Sequence, residues 1–406
     1  MPTSGSDGHP SGDPVRALNQ SIARAYDEVV FERLARSLVD PEAVFGLSAL
    51  YGGAPAGRDV LDLGCGTGIQ LDAVGDTMDG RLVGIDISSE AVARARARCA
   101  RFGDRVAIER ADFLDLRAED LGQFDLIYNL GVIYVVPPDV RARLLDLIPR
   151  CLKPGGVAVV SYYAGTWYVI RAGIARLLCA MDDRDAPVAD RIAVTRRQIQ
   201  ELMDLVPAHG DQRQLVLRIL RQLSETADDV LFHEALNPAF DVLDTPALAA
   251  GMARHGVQFL GYLRGSWGEE LPSPRERALA AAKYDFSAGG YRFAVFCRLP
   301  EAAAAVDMRS PAVRWASTLT RQQADGEGVV YSDGKVAIRT DTAQTQALLD
   351  ALEHGPLGWA DIRAAVAPHL NPAALETEFQ TLARELGKLW QYRFVSPLRP
   401  LGAPGT

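Results

Sequence analysis

The sequence is short of several things, and each shortage closes off a class of protein. No apolar run is long enough to cross a bilayer, and no basic-then-apolar leader opens the chain, so a cytoplasmic protein with no membrane partner is expected. Only five cysteines occur, Cys65, Cys99, Cys151, Cys179 and Cys297. They form no Cys-x-x-Cys pair and have no histidine at ligand spacing, so neither a metal site nor a disulfide framework is expected. Positive charge is in deficit as well. A formal charge of −9 argues against attraction to nucleic-acid phosphates and leaves open a basic peptide or an amine. What is plentiful is apolar residue, 48% over 406 positions, enough for a large core and a prior of two or three domains.

The densest information lies in Asp59-Val60-Leu61-Asp62-Leu63-Gly64-Cys65-Gly66-Thr67-Gly68. Val60, Leu61 and Leu63 read as a buried parallel strand. Gly64, Gly66 and Gly68 read as a tight turn whose backbone can approach a ligand before a helix begins near Ile69. Cys65 is a small filler in that turn. A second strand, 81–87, ends in Asp86-Ile87, which sets a carboxylate at the strand tip for two ribose hydroxyls. Dinucleotide sites share both features, so turn and carboxylate alone leave two readings open. A third strand closes on Asp112-Phe113, a fourth on Asn129-Leu130, and Leu152 to Ser161 gives a turn and a fifth strand.

Taken in this order and spacing, the four segments resemble the site of class I methyltransferases that use S-adenosylmethionine (SAM). The resemblance implies that Asp112 and Phe113 meet the adenine. It also implies a cofactor set of Tyr26, Asp62, Gly64, Cys65, Gly66, Gly68, Asp86, Ile87, Asp112, Phe113, Asn129 and Leu130. Tyr26, on a helix upstream of the first strand, is expected at the methionine end or in simple packing.

The expected fold is α/β: a Rossmann-like methyltransferase sheet with a helical insertion before its last two strands, then a C-terminal winged-helix-like α+β module. Residues 1–14, rich in Gly, Ser, Pro and Asp, read as a disordered tail. Residues 15–164 are the SAM-binding core with its N-terminal helices. Residues 165–253 carry apolar residues at helical spacing and read as a cap or regulatory insertion, 254–300 as the last strands, and 301–327 as a linker. Residues 328–400 show a hairpin about Ser332-Asp333-Gly334-Lys335, three helical stretches, and a closing strand at 389–395. From Ser310 onward nine Lys/Arg stand against ten Asp/Glu with no basic recognition helix, which favours protein contact, including a homodimer, over nucleic acid.

Over residues 25–395 the chain also resembles bacterial methyltransferases with a regulatory domain, whose characterised members include protein lysine methyltransferases. The matching residues are Tyr26-Asp27-Glu28-Val29, Gly131-Val132, Val136 to Arg141, Val160-Ser161-Tyr162 and Leu231-Phe232-His233-Glu234. The chain departs from that pattern where an acceptor would sit, at Leu130 to Val136, Tyr163 and Tyr168-Val169. The implied activity is methyl transfer to nitrogen or oxygen on a peptide or protein side chain such as lysine. A small-molecule acceptor is the alternative, and a SAM-binding regulator without turnover a third reading. Transfer needs an aligned, deprotonated acceptor. His233, Tyr134, Tyr162 and Tyr163 are the catalytic candidates, with Glu234 beside them and His233 first. The tyrosines are also read as a cage for a methylated cation.

Overall fold

The computed structural model describes residues 12–31, 38–53, 55–207, 210, 213–263, 274–288, 290–299, 306–325, 328–391 and 394–399. Helices α1 (Gly12–Glu28) and α2 (Pro41–Leu50) precede the alternating run β1 (Val60–Leu63), α3 (Ile69–Val74), β2 (Leu82–Asp86), α4 (Ser89–Cys99), β3 (Val106–Arg110), α5 (Ala118–Leu121), β4 (Phe124–Asn129), α6 (Pro138–Arg150) and β5 (Leu152–Ala164). Four helices follow, α7 (Thr166–Ala180), α8 (Val188–Leu205), α9 (Arg213–Ser224) and α10 (Asp228–Ala235). Next come α11 (Thr245–Ala253), β6 (Gln258–Tyr262), α12 (Pro274–Ala288) and β7 (Gly290–Cys297).

These strands form one sheet in the order β3-β2-β1-β4-β5-β7-β6. The first five are parallel, and β7 runs antiparallel between β5 and β6. The chain thus reverses direction of travel at β1 and β4, and the crevice outside their carboxyl ends is where such sheets bind ligands. Alternate residues divide the core into two layers. Val60, Leu82, Leu126, Tyr128 and Val159 join one cluster with α2, whereas Leu61, Val83, Ile127, Val160 and Tyr162 join the other with α6, α11 and α12. Complete burial of β1 on both faces explains its unbroken apolar reading, interrupted only by Asp62.

Helices α7 to α10 close a third cluster of their own, around Leu178, Ile199, Ile219, Leu220 and Phe232. The insertion is narrower than the expected 165–253, because α11 packs on α6, α12 and β6 and so belongs to the layer covering the sheet. Helix α12 between the last two strands was not foreseen. Of the expected tail, residues 1–11 lie outside the described residues, and 12–14 are the first turn of α1.

The C-terminal region comprises β8 (Arg314–Ala316), β9 (Thr320–Asp325), β10 (Gly328–Ser332), β11 (Ala337–Thr340), α13 (Ala343–Leu352), β12 (Leu357–Gly358), α14 (Trp359–Val366), α15 (Leu375–Gln391) and β13 (Ser396–Leu398). Two strands, β8 and β9, fall within the stretch expected to be a linker. Helix α15 runs through Leu389 to Gln391, so the closing strand begins later than expected, at Ser396. Three helices are interspersed with short strands from α13 to β13, and the middle strand of the sheet β12-β8-β13 comes from upstream. Strand β13 lies on α2 so closely that a Cβ at Gly46 would be 2.5 Å from the Pro397 carbonyl oxygen. The Arg399 N–H donates to Glu42 O at 3.0 Å along the same seam.

Candidate functional site

A cavity of about 460 Å³ opens where β1, β2, β4 and β5 end, a volume ordinary for a cofactor or small ligand. Its floor is the glycine turn. The Gly64 and Cys65 N–H groups donate to Ile85 O at 2.7 and 3.0 Å, which fastens the turn to β2. Gly64 has φ +84°, and a Cβ there would collide with Val132. Gly66 has φ +52° and lines the cavity, and a Cβ there would meet no protein atom within 4 Å. Gly68 serves packing instead: it caps α3 at φ +78°, with Ala95 and Cys99 against the position of its absent Cβ.

Asp86 closes this end. Its Oδ2 accepts the Gly66 N–H at 2.8 Å and its Oδ1 the Ser88 N–H at 2.9 Å. Burial pushes its carboxyl above the ordinary value, against the pull of those N–H groups. Ile87 and Phe113 line the same end, and Leu130 the floor between the ends. Asn19, Ile22 and Tyr26 of α1 form the roof. That helix is held down by Asp27, which accepts hydrogen bonds from Ser88 Oγ (2.7 Å), Ser89 Oγ (3.0 Å) and the Glu90 N–H (3.1 Å) at the start of α4.

The opposite end is aromatic and acidic. Tyr134 and Tyr163 stand edge to face at 5.0 Å, and Tyr291 packs on Tyr163 at 4.9 Å. Tyr291 shares a short 2.6 Å hydrogen bond with Ser161. Glu234, on α10, enters from the insertion. Its Oε1 accepts the Tyr163 hydroxyl at 3.0 Å and, less closely, that of Tyr134 at 3.4 Å, while its Oε2 accepts Arg171 Nη2 at 2.5 Å. Both members of that ion pair are buried, Arg171 at 4% and Glu234 at 6% exposure, so each depends on the other as counter-charge. Burial raises the carboxyl of Glu234, with Arg171 and the two hydroxyls opposing it.

Several expected site residues lie elsewhere. His233 is turned away from the cavity: its ring stacks on Tyr26 at 4.0 Å and its Nε2 lies 2.5 Å from Val29 O. Burial lowers its pKa to about 4, so at neutral pH it is an uncharged donor to that carbonyl. It borders a separate cleft of about 290 Å³ between α1 and the insertion. Tyr162 points to the other face of the sheet, where its hydroxyl meets Thr245 at 2.7 Å within a buried Thr245–Tyr262–Asp285–Arg292 network. Alternation along β5 dictates this, since Tyr162 and Tyr163 must face opposite ways. Asn129 donates to Leu63 O at 2.8 Å and fixes the end of β1. Asp62, Asp112 and Gly68 are not among the lining residues, and Asp112 Oδ1 accepts the Leu114 N–H at 2.9 Å.

Tyr291, Ser161 and Arg171 were missed from the sequence. Tyr291 pairs directly with Tyr163 across β5 and β7, a signal available only once that register is known. Arg171 carried no local signal.

Residues 60–156 match the sequence profile of a family described as "Methyltransferase domain". The uncharacterized protein RP028 of Rickettsia prowazekii is 28% identical over 143 residues, 34% of this chain and 57% of that protein. The carboxy-S-adenosyl-L-methionine synthase of Wolinella succinogenes is 28% identical over 150 residues, 36% of this chain and 60% of that protein. Among solved structures, PKMT2 from Rickettsia typhi superposes with a TM-score of 0.73 at 16% identity, covering 91% of this chain and 77% of that one. Its complex with AdoHcy gives 0.71 at 17% identity, covering 89% and 75%. The chain spans less than two thirds of the length of the curated relatives it matches. It carries a SAM-dependent methyltransferase domain in a Rossmann-like fold. The turn suits SAM: a cradle that a Cβ at Gly66 would fill, with a carboxylate at the tip of β2.

Proposed function

We propose that the whole chain is a SAM-dependent methyltransferase that transfers a methyl group to nitrogen on a peptide or protein side chain such as lysine. One observation carries this reading: a single cavity joins the glycine turn and Asp86 to the tyrosines and Glu234. Asp86 would take the ribose hydroxyls, Ile87 and Phe113 would flank the adenine, and Tyr26 with Asn19 would cover the methionine end. When bound, SAM supplies an electrophilic methyl carbon on a sulfonium leaving group. The protein's share is then positional. Tyr134, Tyr163 and Tyr291 exclude water from the acceptor end and orient the incoming nitrogen, which brings the reactants into line. Glu234, through the Tyr163 hydroxyl, is the group able to move a proton there. His233 has no part in the transfer on this reading; it braces α1 against the insertion. The mixed surface of the C-terminal region, seated on α2, supports a role in protein contact over nucleic acid.

The test is calorimetric titration with SAM and S-adenosylhomocysteine, then mass spectrometry of the protein incubated with SAM and lysine-containing peptides. A mass gain of one or more methyl groups on lysine is expected. Binding with methylation only of small amines or hydroxyls would replace the protein-side-chain reading with the small-molecule one. Binding without transfer to any acceptor would leave a SAM-responsive regulator.

A further inference from the structure

The acceptor end has a polarity that follows from which groups already hold each other's protons. Glu234 is the one carboxylate among the described residues lining that end, and its charge is not free. Arg171, from α7, reaches Glu234 Oε2 at 2.5 Å with its guanidinium 5.4 to 5.9 Å from the ring centres of Tyr163, Tyr168 and Phe240. Arg171 is not among the lining residues. It backs Glu234 from inside the insertion, and an ammonium arriving in the cavity would find the counter-charge already taken. The remaining oxygen, Oε1, takes the hydroxyl proton of Tyr163 at 3.0 Å and, more loosely, that of Tyr134 at 3.4 Å. A phenol whose proton is engaged has only lone pairs left to offer.

From this arrangement, and resting on the reading of the cavity as the site of methyl transfer, we infer that Arg171 is a positioning residue that sets acceptor class. By saturating one oxygen of Glu234 it turns the other to the tyrosine hydroxyls, so the acceptor end presents lone pairs and admits an uncharged N–H donor. Neither of those two hydroxyls is left to donate to a carboxylate, and a permanently charged ammonium meets no unpaired anion. An amine therefore enters after losing its proton to solvent. An N–H bond to the Tyr163 oxygen then leaves the nitrogen lone pair free for the methyl carbon. On transfer the N–C bond forms, the S–C bond breaks with its electron pair kept by sulfur, and the extra proton on nitrogen passes out through Tyr163 towards Glu234.

The experiment uses the full chain saturated with S-adenosylhomocysteine and fluorine NMR of two small probes. These are trifluoroethylamine, which is uncharged at neutral pH, and trifluoroacetate; tetramethylammonium serves as a competitor. The wild-type protein should bind the amine roughly tenfold more tightly than the carboxylate, the worth of one good hydrogen bond, and tetramethylammonium should not displace it. Arg171→Met should leave Glu234 without its counter-charge, so that tetramethylammonium now displaces the amine, and Arg171→Lys should restore the wild-type behaviour, with the affinity for S-adenosylhomocysteine unchanged in both. Tyr163→Phe keeps the ring and removes the oxygen that accepts the N–H, so it reads the same wall should Arg171→Met fail to fold: the amine should bind about tenfold more weakly. Equal binding of amine and carboxylate by wild type, displacement of the amine from wild type by tetramethylammonium, failure of tetramethylammonium to compete in Arg171→Met, or unchanged amine binding in Tyr163→Phe would overturn the inference. Failure of wild type to bind S-adenosylhomocysteine would instead remove the methyltransferase reading beneath it.

Discussion

The two ends of the cavity are made in different ways. The cofactor end is backbone: the turn from Gly64 to Gly68, whose N–H groups, positive φ values and missing Cβ atoms shape the surface, with one carboxylate from the neighbouring strand. The acceptor end is side chain. It draws Tyr134 from the loop after β4, Tyr163 from β5, Tyr291 from β7 and Glu234 from α10, positions up to 157 residues apart (291 − 134). A backbone site tolerates change in its surroundings and fails when its glycines change. A side-chain site keeps its cofactor affinity when altered but loses selectivity or turnover.

Gly66→Val should give the largest effect. It forces a β-branched residue to φ +52° and drives its side chain into the space the cofactor would occupy. Affinity for S-adenosylhomocysteine, measured by calorimetry, should fall on the order of a hundredfold or more. Retained affinity would mean that the turn is not the cofactor floor, and the contrast between the ends would disappear.

The same contrast explains what was legible in the sequence. Glycines at 64, 66 and 68, an aspartate at a strand tip and five apolar strands are local signals, and the sheet with its final antiparallel pair was readable from them. The acceptor end was only half legible. Tyr134 and Tyr163 were named, but so were Tyr162 and His233, which face elsewhere for reasons that lie beyond any short window. Period two along β5 sends adjacent tyrosines to opposite faces, and choosing between them requires knowing which layer holds the cavity. On α10, His233 and Glu234 are neighbours pointing about 100° apart, so only one can enter the site. The strands β8 and β9 escaped because they pair with segments downstream, a tertiary fact hidden in a stretch that reads as linker.

Glu234→Gln tests the side-chain end directly. It keeps shape and one acceptor while removing the charge that Arg171 and Tyr163 share. Turnover on a lysine peptide should drop by about a hundredfold, in the range of lost acid–base assistance, with cofactor affinity held within about threefold. Loss of both together would make Glu234 a structural prop of the cavity.

His233 sharpens the comparison from outside the cavity. Its pKa falls from 6.5 to about 4 on folding, so the unfolded chain binds this proton more readily than the native one. Between those values stability must fall as pH falls: unfolding takes up a proton that the native state refuses. From pH 7 to pH 5 this group alone removes about 2 kcal/mol. His233→Phe, which keeps a ring on Tyr26, should flatten that part of the denaturation profile, and turnover on the lysine peptide at pH 7 should stay within about threefold of wild type. A large loss of turnover with cofactor affinity intact would return His233 to the chemistry.

Asp27→Asn is expected to have the smallest effect and gives the finest discrimination. The carboxylate gathers two serine hydroxyls and the Glu90 N–H at the start of α4, where a negative charge also meets the positive end of the helix dipole. Asparagine keeps one acceptor oxygen and loses the charge, and the site is partly solvent-exposed, so screening limits the loss. Cofactor affinity should weaken about threefold as the α1 roof lifts, with the trifluoroethylamine preference untouched. If the amine preference fell instead while cofactor affinity held, α1 would be tied to the acceptor end through Tyr26 and His233 more firmly than to the cofactor. The two ends would then share one roof that transmits between them.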